Sequence, residues 1–227
     1  MASLKRVQTA LKRYRASVLK AACEGDWPRT RVGDVAIDVR YGTSAKTNEN
    51  SEGVPVLRMG NISEGRLVPD KLKFLPKSHP EFPDLFLKHG DLLFNRTNSA
   101  ELVGKTAVYQ GMPGPCSFAS YLIRVRLRED YLPEFLSYYL NSVFGRQWVA
   151  SVVSQQVGQA NVNGTKLKAL EVPNPPIIEQ QRIVGKVERR MSLIEELEAL
   201  ASTELQRATR LRQSILVRAF TDDFNCE

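Results

Sequence analysis

Of 227 residues only three are cysteine and two are histidine, and neither type clusters. Cys23, Cys116 and Cys226 are widely scattered, with no metal-ligand or redox spacing, so buried or incidental thiols are expected. His79 and His89 have no Cys or carboxylate at ligand spacing, and no metal site is expected. No stretch approaches the roughly 18 consecutive apolar residues of a membrane span. The opening residues, Met1 to Arg6, lack the apolar core of a signal peptide. A reducing cytoplasm is the expected compartment, with no membrane partner.

Catalytic patterns are equally scarce. Asn174-Pro175-Pro176 matches the start of the string with which adenine amino-methyltransferases grip a flipped base, but Ile177 stands where an aromatic ring must stack. No glycine-rich turn after a strand is present to hold a nucleotide. Pro69-Asp70 and Pro83-Asp84 each lack the acid and lysine that complete a nuclease metal site. Gly104-Lys105-Thr106 ends like a phosphate-binding loop, yet Ser99 occupies the position of the upstream glycine. Nothing here makes an enzyme, and the chain is expected to carry no catalytic residue.

What is present is an ordinary globular composition, 42% hydrophobic and 25% charged, with a formal charge of +7. The excess is uneven. Up to Glu24 there are six Lys/Arg against one acid; from Gly25 to Pro175, 18 against 15; from Pro176 onward, eight against nine. A polyanionic partner suits the first two stretches.

The first stretch reads as a helix. Leu4, Val7, Leu11, Tyr14, Val18 and Ala22 recur at spacings of three and four, a narrow coiled-coil seam that stops at Gly25. The last reads as a longer one. Pro175 and Pro176 open it, Glu179 suits its first turn, and Ile183, Val187, Ile194, Leu197, Ala201, Leu205, Ala208, Leu211 and Ile215 form its seam. Some forty residues make a rod of roughly 60 Å, too long for its own domain to cover. The two helices also share a pattern. Residues 13–22, RYRASVLKAA, align with residues 210–219, RLRQSILVRA, and the identical Arg, Arg and Ser lie off the seam.

Between the helices lie short strands and polar loops. Val54 to Met59, Leu102 to Tyr109 and Tyr121 to Leu127 are strand-like, the last placing Arg124, Arg126 and Arg128 on one face. Pro133 to Asn141 reads as a helix with Phe135, Leu136, Tyr139 and Leu140 inward, and Arg146 to Val153 as another. The fold class is α+β: one mixed domain flanked by two helices that pack antiparallel with each other or with a second copy. The expected boundaries are 1–25 for the first helix, 26–175 for the domain, 176–220 for the long helix and 221–227 for a tail.

The loops suit recognition of a polar polymer. One runs from a strand end through Asn95, Arg96, Thr97, Asn98 and Ser99. A second carries Gln155, Gln156, Gln159, Asn161 and Asn163; a third has Thr43, Ser44 and Lys46 beside Arg40 and Tyr41. Asn and Gln amides pair with adenine two-pronged, and Arg with guanine. The same composition is also that of ordinary surface turns, and Arg124 and Arg126 fit a solvated strand face equally well.

Taken in order, these pieces resemble the specificity subunit of type I restriction-modification systems. The resemblance is carried by Trp27 with Val32-Gly33-Asp34-Val35, Gly42-Thr43-Ser44, Val56 to Ile62, Gly90 to Ser99, Val103-Gly104-Lys105, Gln159 to Asn163, and Val172 to Pro176 through Glu179-Gln180-Gln181-Arg182-Ile183. It adds Arg58 and Lys105 to the candidate DNA contacts. It implies a target-recognition domain that reads one half of a bipartite site in double-stranded DNA, followed by a conserved helix. That helix sets the gap between halves and binds modification subunits. It also implies a prokaryotic cytoplasmic complex in which S-adenosylmethionine, ATP and Mg are used by modification and restriction subunits, with no cofactor on this chain.

The sequence departs from the family pattern in carrying one recognition domain. Either it is the second half of a longer subunit, or it pairs as a homodimer or with another half-subunit. The helix residues expected to meet a partner are Leu11, Tyr14, Val18, Ile194, Leu197, Leu205, Leu211 and Ile215. Two other readings stand beside this one: an adenine-specific DNA methyltransferase or a fragment of one, and a coiled-coil assembly scaffold.

Overall fold

A computed structural model describes residues 2–99, 101–111, 115–156 and 159–222. Helix α1 (Ala2–Cys23) leads to strand β1 (Arg29–Arg31), a single helical turn α2 (Val32–Val35) and strand β2 (Ala36–Tyr41). Next come β3 (Val54–Leu57), a 3-10 turn (Met59–Asn61), and the short strands β4 (Ile62–Ser63), β5 (Arg66–Leu67) and β6 (Lys73–Leu75). Strands β7 (Leu92–Asn95), β8 (Thr97–Asn98), β9 (Thr106–Val108), β10 (Ser117–Phe118) and β11 (Leu122–Leu127) follow. The chain then passes through helices α3 (Pro133–Asn141) and α4 (Val143–Val152), strands β12 (Ser154–Gln156) and β13 (Gln159–Asn161), helix α5 (Gly164–Ala169), strand β14 (Glu171–Pro173) and helix α6 (Ile177–Asp222).

These elements fall into two compact units, Leu19–Val184 and the pair of segments Met1–Val18 with Gly185–Glu227. The first unit is the mixed α+β body. Its central sheet has the order β2-β11-β7-β9, antiparallel throughout. Strand β7 is buried on both faces. Leu93 joins a core with Leu57, Ala107, Phe118 and Leu122, while the Phe94 ring meets Trp148 of α4 edge-on at 6.4 Å. Asn141 ties α3 to β9, accepting from the Thr106 amide at 3.1 Å and donating to its hydroxyl at 2.8 Å.

The start of α6 is fixed by a buried amide. Gln180 is fully buried; its Oε1 accepts from the Leu132 amide at 2.8 Å and its Nε2 donates to the Pro175 carbonyl at 2.9 Å. Prolines 175 and 176 open the helix, and the Gln180 side chain ties its first turn to Leu132 and Pro175.

Two strand expectations need correction. Of Leu102 to Tyr109, only Thr106–Val108 is strand. Gly104 takes φ +83°, and the Leu102 and Val103 amides close a turn onto the Ser99 carbonyl. Glycine adopts that left-handed backbone without strain, so the chain turns where the apolar pattern ran straight through. Nor do the β11 arginines form a solvated face. Arg124 is 1% exposed and donates to Asp38 at 2.6 Å, and Arg126 binds Asp91 two-pronged at 2.7 and 2.8 Å.

In the second unit the two helices run antiparallel, because α1 leads into the α+β body and α6 leads out of it. Leu11, Arg15 and Val18 are buried on α1, and Val187, Met191, Ile194 and Ala201 on α6. Arg15 donates to Glu198 at 2.7 Å and contacts the Met191 sulfur at 3.7 Å. The buried face is turned slightly from the expected seam: Tyr14 is 47% exposed and Arg15 takes its place. The reason is Glu198, which lets a charged side chain be buried there with a partner.

Candidate nucleic-acid interface

Three strand ends meet in one place. Tyr41 closes β2, Asn95 closes β7 with Arg96 just beyond it, and Asn161 closes β13. The central sheet brings the first two together, since Tyr41 pairs with Ile123 and Asn95 with Leu122 on β11. The third arrives through a small sheet of order β12-β13-β8, in which Asn161 lies opposite Thr97 and Ala160 opposite Asn98. The Val162 amide bonds the Arg96 carbonyl at 2.9 Å, and the Arg96 amide bonds the Tyr121 carbonyl at 3.0 Å. Residues up to 123 positions apart in sequence are thereby locked together.

Arg96 is the centre of this junction. Its guanidinium lies 4.9 Å above the Tyr41 ring, a cation–π contact that holds the planar fork in one orientation. The Tyr41 hydroxyl is fixed in turn, accepting from the Gly164 amide at 2.7 Å. Arg96 donates to Asn161 Oδ1 at 3.3 Å and to the Ser120 carbonyl at 3.4 Å. Asn163 sits beside it as the cap of α5, accepting from the Lys166 amide at 2.9 Å. Lys166 Nζ donates to the Val152 carbonyl at 2.6 Å and the Ser154 hydroxyl at 2.8 Å. Arg96, Ser154, Asn161, Asn163 and Lys166 line a pocket of about 220 Å³.

The expected contact residues separate by environment. Tyr41, Arg96, Asn161 and Asn163 come together. Ser44 and Lys46 are exposed on the loop after β2. Arg40 is half-exposed and already faces Asp38 at 3.8 Å and Asp84 at 3.6 Å. Thr43 is buried; its hydroxyl bonds Glu81 and accepts from the Ala45 amide. Asn95 is 1% exposed and its Nδ2 donates to the Leu102 carbonyl at 3.2 Å, so it braces the 99–105 turn from inside. Thr97 is also buried, and Asn98 accepts from the Ser99 amide. Arg58 reaches the Lys71 carbonyl at 2.7 Å, and Lys105 is partly buried. The backbones of Gln156 and Gln159 pair across the β12–β13 hairpin; their side chains lie outside the described residues.

Lys166 and Ser154 had no signal in the sequence reading. Lys166 follows the second loop by three residues, and the helix cap at Asn163 was the available clue that its chain folds back toward Arg96. Among the described residues, no group of three or more His, Cys, Asp and Glu is placed to hold a metal ion. Nor is any helix long and apolar enough to cross a membrane.

Comparison with known proteins gives a consistent result. A family model described as the type I restriction modification DNA specificity domain matches residues 24–206. The whole chain aligns at 29% identity with 52% of the type I restriction enzyme EcoKI specificity subunit of Escherichia coli K12. It aligns at 27% with 52% of the StySPI specificity subunit of Salmonella potsdam. The chain thus spans about half the length of these curated relatives. Among solved structures, the HsdS subunit from Thermoanaerobacter tengcongensis superposes with a TM-score of 0.63 at 21% identity, over 96% of this chain and 53% of that one. A chain from a study of type I R-M complex assembly gives 0.66 over 96% and 56%. The likeness of these two structures is one of fold.

Proposed function

Because the chain belongs to the type I restriction modification DNA specificity family, we propose that it reads one half of a bipartite target in double-stranded DNA. In this reading it steers modification and restriction subunits to that target and performs no chemistry itself. S-adenosylmethionine, ATP and Mg are used by those partners. The observation that carries the reading is the junction of β2, β7 and β13, where Tyr41, Arg96, Asn161 and Asn163 are presented together by backbone pairings that leave little freedom. Rigid presentation of amide and guanidinium groups is what base and phosphate recognition require.

The second half of the target needs a second recognition domain. We infer that a second copy supplies it through α6. Leu193, Leu197, Leu200, Leu211 and Ile215 are each at least half exposed, and at about 100° per residue they fall on one side of the helix. Leu11, Val18 and Ile194, in contrast, are buried within the α1–α6 pair. Co-expression with a cognate modification subunit, followed by genome-wide mapping of methylated adenines, tests both parts. A recurring palindromic split motif is expected. A recurring asymmetric motif overturns the second copy, and the absence of any recurring motif overturns recognition.

A further inference from the structure

We propose that the pocket of Arg96, Ser154, Asn161, Asn163 and Lys166 is a seat for one phosphodiester group of the DNA backbone, and that Arg96 there fixes register without reading a base. The proposal rests on the DNA-recognition reading above and assigns this corner of the site its ligand.

Among the described residues, Arg96 and Lys166 both line the pocket, no carboxylate lines it, and neither cation enters an ion pair. Elsewhere in the same unit arginines are matched with acids: Arg124 with Asp38, Arg126 with Asp91, Arg128 with Asp130. Two cations held together at a partly buried site repel each other, and an arriving anion relieves that repulsion.

The donor count agrees. A guanidinium has five N–H donors. Arg96 uses one from each terminal nitrogen, in bonds of 3.3 and 3.4 Å that are long for a charged donor, and its Nε is buried with no partner. One N–H on each terminal nitrogen is left to donate to the oxygens of a phosphate. Lys166 keeps one of its three ammonium protons after bonding Val152 and Ser154.

Geometry separates a phosphate from a base edge. A base-reading arginine must extend its fork into a groove to reach the base edges. Arg96 instead has its guanidinium carbon 4.9 Å from the Tyr41 ring centre, is braced by Asn161 and the Ser120 carbonyl, and faces a pocket of about 220 Å³ with room for a tetrahedral group. The Tyr41 hydroxyl bond to Gly164 fixes the pocket wall. Asn163 is exposed at the rim and is free to contact the adjoining nucleotide.

The test uses the full chain and its Arg96→Gln, Arg96→Lys and Lys166→Gln variants. Each is put through selection from a randomised duplex pool, and affinity for the selected duplex and for one unselected duplex is measured across a salt series. For Arg96→Gln the expected result is a loss of roughly tenfold for both duplexes alike, with the selected motif unchanged. The slope of log affinity against log salt falls by about 0.9, one phosphate contact. Arg96→Lys keeps the slope and recovers part of the affinity, which excludes simple misfolding. Lys166→Gln lowers the slope in the same way. Relaxed preference at a single base pair with an unchanged slope overturns the proposal in favour of base reading, and an unchanged affinity overturns it outright. If the wild-type chain selects no motif, the recognition reading fails, while the slope measured on the unselected duplex still decides the phosphate seat.

Discussion

At the residue scale, the polar side chains divide by whether the fold has already used their hydrogen bonds. Asn95, Thr43 and Arg124 were equally polar in sequence to Asn161, Ser44 and Arg96. Sequence cannot tell them apart, because the difference lies in carbonyls and carboxylates contributed from 7 to 86 positions away. A period-two strand pattern gives Arg124 and Arg126 a shared face, which is correct, but not the acids that wait there. The scattered cysteines read as buried or incidental thiols, and Cys226 lies outside the described residues. Cys23 and Cys116 are buried, and burial pushes both thiols up to about 12 from an ordinary 9.0. A thiol whose folded value stands above its unfolded one contributes stability that is complete below pH 9.0 and is lost as pH climbs from there toward 12. In a Cys226→Ser variant, a thiol-reactive disulfide reagent at pH 8 is therefore expected to label neither cysteine until urea unfolds the chain. The urea midpoint should hold constant from pH 7 to 8.5 and fall between pH 9 and 11. Rapid stoichiometric labelling of the folded protein at pH 8 would contradict this burial.

At the element scale, helices were easier to foresee than strands. Periodicity places α1, α3 and α6 within a few residues, since each is long enough to repeat its apolar spacing and is bounded at one end by a proline or glycine. Strands of two to four residues, such as β4, β5, β8 and β10, carry too few positions to show an alternation. β8 and β10 exist through pairing with segments distant in sequence, and β4 and β5 through a tight hairpin with each other. One glycine in the resemblance has a direct physical reason. A Cβ on Gly42 would lie 2.2 Å from the Phe118 carbonyl oxygen and 2.5 Å from that of Ala119, backbone atoms that cannot swing aside. The close approach lets the Thr43 amide bond Phe118 at 2.9 Å, seating the loop immediately after Tyr41. Gly42→Ala must shift that loop, at a cost of about 1–3 kcal/mol, as for other overpacked sites. Urea unfolding is expected to show a lower midpoint with unchanged slope. Because Tyr41 moves with the loop, DNA affinity of the folded fraction should fall as well. Wild-type stability and affinity in Gly42→Ala would show that the approach is slack.

At the scale of the whole molecule, the long helix raises a question of coverage that its own partner helix does not answer. The 46 residues of α6 span about 69 Å and the 22 of α1 about 33 Å, so α1 covers at most half of it. Burial follows that limit: Val187, Met191, Ile194 and Ala201 are buried, and Leu211, Ile215, Leu216 and Val217 are 45–62% exposed. The repeated segment sharpens the point. On α1 the pattern Arg15 to Val18 is the portion that seats against α6; its counterpart, Arg212 to Ile215, is exposed. A helix-docking sequence that lies exposed on α6 is a surface a second copy would cover. The Leu211→Glu, Ile215→Glu double variant is expected to leave circular dichroism and the thermal midpoint of the α+β unit nearly unchanged, since substitutions at exposed positions usually alter stability by within about 0.5 kcal/mol. Sedimentation equilibrium should show the wild type with twice the mass of the variant at tens of micromolar. Because the contact is apolar, sodium sulfate should strengthen pairing instead of weakening it. A wild type that sediments as a single chain at that concentration, or a variant that pairs as well as wild type, would leave α6 without a copy of itself as its partner.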